Sequence, residues 1–239
     1  MEENKETSAE SKKKYIPIVI LAIVVLAVVG YFVFGKNKIF SPASSASVAT
    51  VNGVTITKTA YDTLLDSSLA SYKAQGVDVT DATKLSQIKT QVLNNLISDE
   101  LINQGVVAAG IKITSEDVEK QFQAIVTQTG GAEKFQAELV KNNLTEAQLR
   151  ENVSKQMAIQ KYLLQNIDTK SVTVSDAEIS QFYSDYTKAQ KASDPKAVVP
   201  ALKDLSDQIK QQIITNKEQA MVVSFIDALR AKANVVTSL

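Results

Sequence analysis

The chain contains neither cysteine nor histidine among its 239 residues. Without cysteine it has no disulfide framework, no thiolate nucleophile, no zinc–thiolate site and no lipid-modified cysteine. Without histidine it has no Ser-His-Asp arrangement and no imidazole metal ligand, although carboxylate pairs and Ser-Lys dyads remain open. No other motif fills the gap, so the sequence predicts no catalytic, metal or cofactor-binding residues.

Glycine is scarce and net charge is absent. The eight glycines are scattered, and the adjacent pair Gly130-Gly131 stands between two helical patterns, where a turn explains it better than a phosphate-binding loop. Lysine and arginine together number 26 and so do aspartate and glutamate, with no basic patch and no interleaved aromatic run. We therefore expect no nucleic-acid partner.

One long apolar run is present. Residues 15–34 read YIPIVILAIVVLAVVGYFVF, twenty residues without a charge. At about 1.5 Å per residue they span roughly 30 Å, the hydrocarbon thickness of a bilayer. A cleaved signal peptide is one alternative, but its apolar region is usually shorter and its cleavage site closer. A buried helix is the other. The run favours an uncleaved transmembrane helix over residues 15–35.

The charges around this run predict its orientation. Lys12, Lys13 and Lys14 precede it, and only Lys36 and Lys38 follow closely. Positive charge favours the cytoplasmic side, so residues 1–14 are predicted to be a cytoplasmic tail and the C-terminal domain extracytoplasmic. Residues 36–47 contain a stretch rich in serine and alanine that is typical of a flexible linker. The predicted protein is single-pass in the cell membrane, with its large domain at 48–239.

The domain is predicted to be mostly α, with a small β-hairpin that pairs its two ends. Asn52-Gly53 between two β-type segments is the strongest two-residue hairpin signal. Helical periodicity and capping residues then predict a series of helices, with Thr57 and Thr114 as caps and Gly110 as a left-handed end. Full capping boxes are predicted at Thr145 and Ser175. The predicted later helices and final strand cover 82–109, 115–128, 132–142, 146–166, 176–187, 202–233 and 235–236.

Residues 48–57, 109–114 and 172–183 together resemble segments of the SurA/PrsA/PpiD type of chaperone. Residues 48–57, VATVNGVTIT, resemble the strand and turn that open the family's N-terminal module. Residues 109–114, AGIKIT, resemble the end of its long helix, and residues 172–183, VTVSDAEISQFY, resemble the segment that precedes the parvulin prolyl-isomerase domain in many relatives. The resemblance implies a helical chaperone module that a final helix and strand complete.

The isomerase domain is where the chain departs from that family pattern. Thirteen residues separate Tyr186 from Pro200, whereas an independent domain needs about 50 or more. The family's parvulin site also contains histidine, which this chain lacks. The 188–200 segment is therefore predicted to be a short loop, and the chain is predicted not to be an enzyme.

A chaperone without a catalyst acts by weak apolar binding, so we looked for apolar side chains around the Gly130-Gly131 turn. The candidate client contacts are Phe122, Phe135, Leu139, Val140 and Met157. Each also fits a helical stripe, for which the alternative interpretation is the protein's own core.

Three functions follow from this sequence. The first is a membrane-anchored extracytoplasmic holdase or foldase that binds unfolded or translocating secreted proteins. The alternative is an adaptor subunit that holds one dedicated partner in a membrane or secretion complex. The third and weakest is a peptidyl-prolyl isomerase that acts through an unrecognised site.

Overall fold

The computed structural model describes residues 46–238, which form seven α-helices and three short strands. The elements in chain order are β1 Ser47–Val51, β2 Val54–Thr57, α1 Lys58–Ala74, α2 Ala82–Ala108, α3 Ser115–Gln128, α4 Ala132–Lys141, α5 Glu146–Asn166, α6 Asp176–Ser193, α7 Leu202–Lys232 and β3 Val235–Thr237. A single 3-10 turn, Thr169–Ser171, lies between α5 and α6. The fold is thus mostly helical with a small sheet, as the sequence predicts.

The described residues do not include the predicted membrane span. Among residues 46–238, none of the helices combines the length and apolar character needed to cross a bilayer. The predicted tail at 1–14, the span at 15–35 and most of the 36–47 linker lie outside the described residues.

The described part of the chain divides into two compact units. Within the described residues, the sheet unit contains residues 46–162 and 232–238. The second unit, Leu163–Ala231, contains α6 and most of α7 and is named here the hairpin unit after this pair of helices. The division falls within α5 and near the end of α7, so each of these long helices contributes to both units.

The sheet joins the two ends of the domain. Asn52 and Gly53 have φ values of 50° and 84°, the positive values that a tight primed turn requires at both central positions. The strand order is β2-β1-β3, and the central strand β1 is antiparallel to both neighbours, with Thr50 opposite Thr55 on one side and Val236 on the other. The predicted hairpin and its pairing with the last strand are both confirmed.

Helix ends follow the predicted local chemistry. At the end of α2, Gly110 has a φ of 62°, and its N–H donates to the Val107 carbonyl at 3.0 Å while the Ile111 N–H donates to the Val106 carbonyl at 3.3 Å. This pair of bonds satisfies two carbonyls that the helix would otherwise leave open. The hydrophobic residue after the glycine then turns the chain into the segment before α3.

Helix starts show the predicted reciprocal caps. At α6 the Ser175 hydroxyl accepts from the Glu178 N–H while the Glu178 carboxylate accepts from the Ser175 N–H. Thr145 and Gln148 form the same pair of bonds at α5. At α3 the Thr114 hydroxyl accepts from the Asp117 N–H and donates to the Asp117 carboxylate. Asp117 is one methylene shorter than the glutamate of a capping box, and its carboxylate bonds to the side chain of Thr114 and not to its backbone N–H.

The predicted end of α6 at residue 187 is wrong, because the helix continues to Ser193. It ends where Asp194 adopts an extended conformation, with φ −140° and ψ 107°. Asp194 precedes Pro195, and the proline ring disfavours a helical residue before it. The helix therefore ends at a steric stop and not where its apolar periodicity fades.

The sheet unit contains two groups of buried side chains. The first comes from the sheet, α1 and α2, which contact one another: Val48, Ala49, Val51, Ile56, Ala60, Tyr61, Ile88, Val92, Leu96, Ile97, Leu101 and Ile102. The second, named here the aromatic cluster, comes from α3, α4, α5 and the turn before α5: Val118, Phe122, Phe135, Leu139, Leu144, Leu149 and Val153.

The hairpin unit has a smaller core. Its buried apolar side chains are Ile167, which follows α5, Ile179 of α6, and Ile209 and Ile213 of α7; the last three form one cluster. Half-buried residues pack around this cluster: Val174, Phe182, Tyr183, Leu202 and Leu205. Because this core is small, contacts at the helix ends and on the surface contribute a larger share of the stability of this unit than they do in the sheet unit.

Candidate client-binding surface

An edge-to-face aromatic pair lies at the centre of the aromatic cluster. The Phe122 and Phe135 rings are 5.2 Å apart between centroids at an interplanar angle of 84°, and each residue is 3% exposed. This geometry places the positive edge of one ring on the negative face of the other, which stabilises the pair beyond its apolar burial. The pair joins α3 to α4 across the Gly130-Gly131 turn.

Arg150 of α5 covers the same pair. Its guanidinium carbon lies 3.5 Å from the centroid of the Phe122 ring. Nε donates to Glu119 at 2.9 Å and Nη1 donates to Glu146 at 2.9 Å, which holds the guanidinium over the ring. The hydrogen bonds from Arg150 stabilise the charged carboxylates and so lower the pKa of both glutamates.

The five predicted client contacts do not occupy equivalent places. Phe122, Phe135 and Leu139 are buried in the aromatic cluster. Their packing fits the alternative interpretation, that they belong to the protein's own core. Met157 is half-buried against the cluster. Val140, next to Leu139 on α4, is 76% exposed. Val140 and Met157 are thus the two whose apolar surface is accessible to solvent.

Three further residues share the position of Met157 at the edge of the cluster. Ile113, Ile125 and Val126 are half-buried and pack against it. They are not among the predicted contacts, although Ile125 and Val126 follow Phe122 by three and four residues, the spacing at which side chains share a helix face. Arg150 was missed as well, since sequence spacing alone does not place it over Phe122.

The loop between α6 and α7 begins at Asp194, not at the predicted residue 188, and specific contacts close it. The Asp194 carbonyl accepts from the Ala197 N–H at 2.9 Å, and the Asp194 side chain accepts from the Lys196 N–H, a turn with proline at its second position. The Tyr183 hydroxyl donates to the Pro200 carbonyl at 2.8 Å. These bonds bring the end of α6 to the start of α7 without an intervening domain.

The acidic side chains have structural partners. Asp117 and Glu178 complete caps, and Lys217 donates to Glu178 at 2.5 Å and to the Thr173 carbonyl at 2.7 Å. Chiefly this Lys217 bond lowers the pKa of Glu178, to about 2. Asp99 differs, because desolvation raises the pKa of its carboxyl to about 6. Over residues 46–238 no group of three or more acidic side chains is arranged to hold a metal ion.

A shallow depression lies on α2, apart from the aromatic cluster. It measures about 380 Å³, opens widely to solvent and is lined by Ser86, Gln87, Thr90, Gln91 and Asn94. Small-molecule pockets are clefts that bury most of the ligand's surface, so this open face is not shaped to hold one.

Comparison with known proteins defines the class. The model of the SurA-like N-terminal domain matches residues 8–163, which cover the predicted span and the sheet unit through α5. This chain therefore belongs to the SurA-like N-terminal domain family. No parvulin domain is evident in it. No curated protein sequence matches the chain.

A solved structure shares the fold. It comes from work on the virulence factor PEB4 and the periplasmic protein Cj1289 of Campylobacter jejuni, described as two structurally related SurA-like chaperones. The similarity covers 81% of this chain and 99% of that chain, with a TM-score of 0.53 and 13% sequence identity. At that identity the comparison shows a common fold, and the chaperone role of those proteins remains their own.

Proposed function

We propose that this protein is an extracytoplasmic chaperone that binds unfolded or translocating secreted polypeptides. Membership of the SurA-like N-terminal domain family over residues 8–163 is the observation that carries this proposal. The shared fold with SurA-like chaperones supports a chaperone-type role.

The proposal includes a membrane anchor. The uncharged run at 15–34 has the length of a bilayer span, and the three lysines before it favour a cytoplasmic N-terminus. In this arrangement the domain from residue 48 onward works on the outer side of the cell membrane. A tethered binding domain meets polypeptides as they emerge from the membrane, where their apolar segments are still exposed.

The proposed binding surface is the rim of the aromatic cluster. Val140 is exposed, and Met157, Ile113, Ile125 and Val126 are half-buried over a packed base that the Phe122–Phe135 pair and Arg150 keep rigid. Burial of one large apolar side chain contributes about 1.5 to 3 kcal/mol, so a few partial contacts give micromolar, reversible binding. Met157 adds a flexible thioether that adapts to different partners.

We further propose that the chain does not catalyse prolyl isomerisation. The place where relatives carry an inserted catalytic domain is occupied by a turn at residues 194–197 and the Tyr183–Pro200 hydrogen bond. We therefore expect the protein to suppress the aggregation of unfolded proteins without accelerating refolding that is limited by prolyl isomerisation.

The test uses the purified fragment Ser41–Leu239, after its helical content has been checked by circular dichroism. The fragment is added at increasing ratios to several unrelated unfolded proteins while light scattering is followed. Suppression with all of them is expected from a general holdase. Absence of suppression at large excess would overturn the proposal and favour the dedicated adaptor. Accelerated refolding of a proline-limited substrate would favour the isomerase.

A further inference from the structure

A chain of polar contacts links the β1–β2 turn, α2 and the start of β3. The Asn52 side-chain amide donates to Gln104 Oε1 at 2.7 Å, and Asn52 Oδ1 accepts from the Asn234 N–H at 2.8 Å. The Asn52 N–H also donates to the Asn234 carbonyl at 2.8 Å. We name this set of contacts the Asn52 clasp.

Gln104 fixes the orientation of the clasp. Its Nε2 donates to the Val51 carbonyl at 2.9 Å and to the carboxylate of Glu100 at 2.6 Å, and Glu100 is 4% exposed. Because both bonds use the amide nitrogen, the amide oxygen of Gln104 must face Asn52. Both polar atoms of the Asn52 side chain are therefore engaged by partners on different elements.

Asn52 is followed by Gly53, and this is the one Asn-Gly dipeptide in the sequence. In such a dipeptide the glycine N–H can lose its proton to solvent, and its nitrogen can attack Cγ of the asparagine with little steric hindrance, because glycine has no Cβ. The new C–N bond closes a succinimide ring while the Cγ–Nδ2 bond breaks and ammonia leaves with a solvent proton. Water then opens the ring to aspartate or isoaspartate, so the net reaction consumes one water and releases one ammonia.

We propose that Asn52 is a deamidation site that the clasp protects. Cγ can turn toward the Gly53 nitrogen only when the side chain rotates away from both Gln104 and Asn234, so the reaction proceeds from an open clasp. Neither product carries the amide donor that Gln104 Oε1 accepts. Aspartate at this position also places a carboxylate against that oxygen, close to Glu100. Deamidation thus prevents the clasp from closing again after it has opened. It therefore weakens the attachment of β3 to the β1–β2 turn.

The test measures the rate of deamidation at Asn52 by peptide mass spectrometry on the full chain in mildly alkaline buffer. Deamidation in the native chain is expected to be at least about tenfold slower than in the same chain unfolded in urea, since only the open fraction reacts. Gln104→Ala is expected to accelerate the native rate by about three- to tenfold, the effect of one hydrogen bond on the opening equilibrium. Gln87→Ala, an exposed glutamine on the same helix, is the control and should leave the rate unchanged.

Two results would overturn the proposal: equal rates in native and unfolded chain, or equal rates in Gln104→Ala and Gln87→Ala. If Gln104→Ala fails to fold, Gln104→Met keeps the length of the side chain without its polar atoms and serves in its place. The consequence is tested with Asn52→Asp, which should lower Tm. Asn143→Asp is its matched control, because Asn143 also has a positive φ, of 52°, but ends α4 and lies outside the clasp. An equal loss in both variants would contradict a role for the clasp.

Discussion

The two units of this domain are stabilised in different ways. The sheet unit buries two groups of apolar side chains, including an aromatic pair, and places its polar clasp between three elements. The hairpin unit buries four isoleucines, three of them in one cluster, and adds a capping box, the Tyr183–Pro200 bond and the Lys217–Glu178 ion pair. Apolar packing resists acid and salt, whereas exposed ion pairs do not. The comparison implies that cavities damage the first unit most and that acid weakens the second first.

Removing the aromatic ring from the larger core should have the largest effect. Phe122→Ala is expected to destabilise the sheet unit by about 3–5 kcal/mol, the usual cost of deleting a buried ring and leaving a cavity. Phe182→Ala is the matched substitution, since Phe182 is half-buried in the hairpin unit. Hydrogen exchange with urea titration measures the two units separately. A loss for Phe182→Ala as large as that for Phe122→Ala would contradict the difference in packing.

The sheet unit also contains a glycine within a helix, Gly105, which leaves room for a neighbouring side chain. Gly105 lies within α2, and a Cβ placed there would overlap the ring and hydroxyl of Tyr162 on α5. Alanine normally stabilises a helix interior by about 0.5–1 kcal/mol relative to glycine. Here Gly105→Ala is expected to destabilise by about 1–3 kcal/mol, because the close-packed tyrosine must move. Thermal unfolding gives the sign directly.

A double variant separates the steric effect from any other role of Gly105. In Tyr162→Ala the neighbouring ring is absent, so adding Gly105→Ala should then be neutral or stabilising. A Gly105→Ala change that destabilises equally in both backgrounds would exclude the Tyr162 contact as the cause.

Acid should weaken the hairpin unit through Glu178. The pKa of its carboxyl is lowered from 4.5 to about 2 in the fold, so the stabilising charge is fully present above pH 4.5 and is lost as the pH falls toward about 2. Lys217→Met should lower the stability of the unit above pH 4.5 and reduce its acid sensitivity. Lys210→Met, an exposed lysine on the same helix, is the control. An unchanged acid profile in Lys217→Met would show that the ion pair is not responsible.

The smallest predicted effect has the opposite sign and lies in the sheet unit. The pKa of Asp99 is raised from 3.8 to about 6, so folding favours the neutral acid and stability decreases as the pH rises from 3.8 through about 6. Asp99→Asn should raise Tm above pH 6 and have no effect below pH 3.8. Asp207→Asn is the exposed control. A pH-independent change in Tm would indicate an effect other than titration.

Local chemistry made much of this fold predictable. The Asn-Gly turn, the glycine end of α2 and the capping boxes at Thr145 and Ser175 depend on residues within a few positions of one another. The pairing of the last strand with the β1–β2 hairpin was also predicted, and it agrees with the order of elements in the chaperone module that the chain resembles. Periodicity likewise placed the core helices.

Contacts between distant residues were not predictable in the same way. Nothing in the sequence around Arg150 shows that it covers Phe122, and Gly105 carries no sign of Tyr162. The candidate site illustrates the limit most clearly. Helical spacing marked Phe135, Leu139 and Val140 alike, yet the first two are buried and Val140 is 76% exposed, because the facing helices decide which side of a helix is covered.

We propose that unfolded polypeptides bind at the rim of the aromatic cluster, in the sheet unit. A photo-crosslinking amino acid placed at Val140 tests it most directly, with Val198 as the control. Val198 is 94% exposed in the hairpin unit, so both probes are accessible. We expect several unrelated unfolded proteins to crosslink at Val140 and to compete with one another there, and Val198 to give little product. Equal crosslinking at the two positions, or none at Val140, would contradict it.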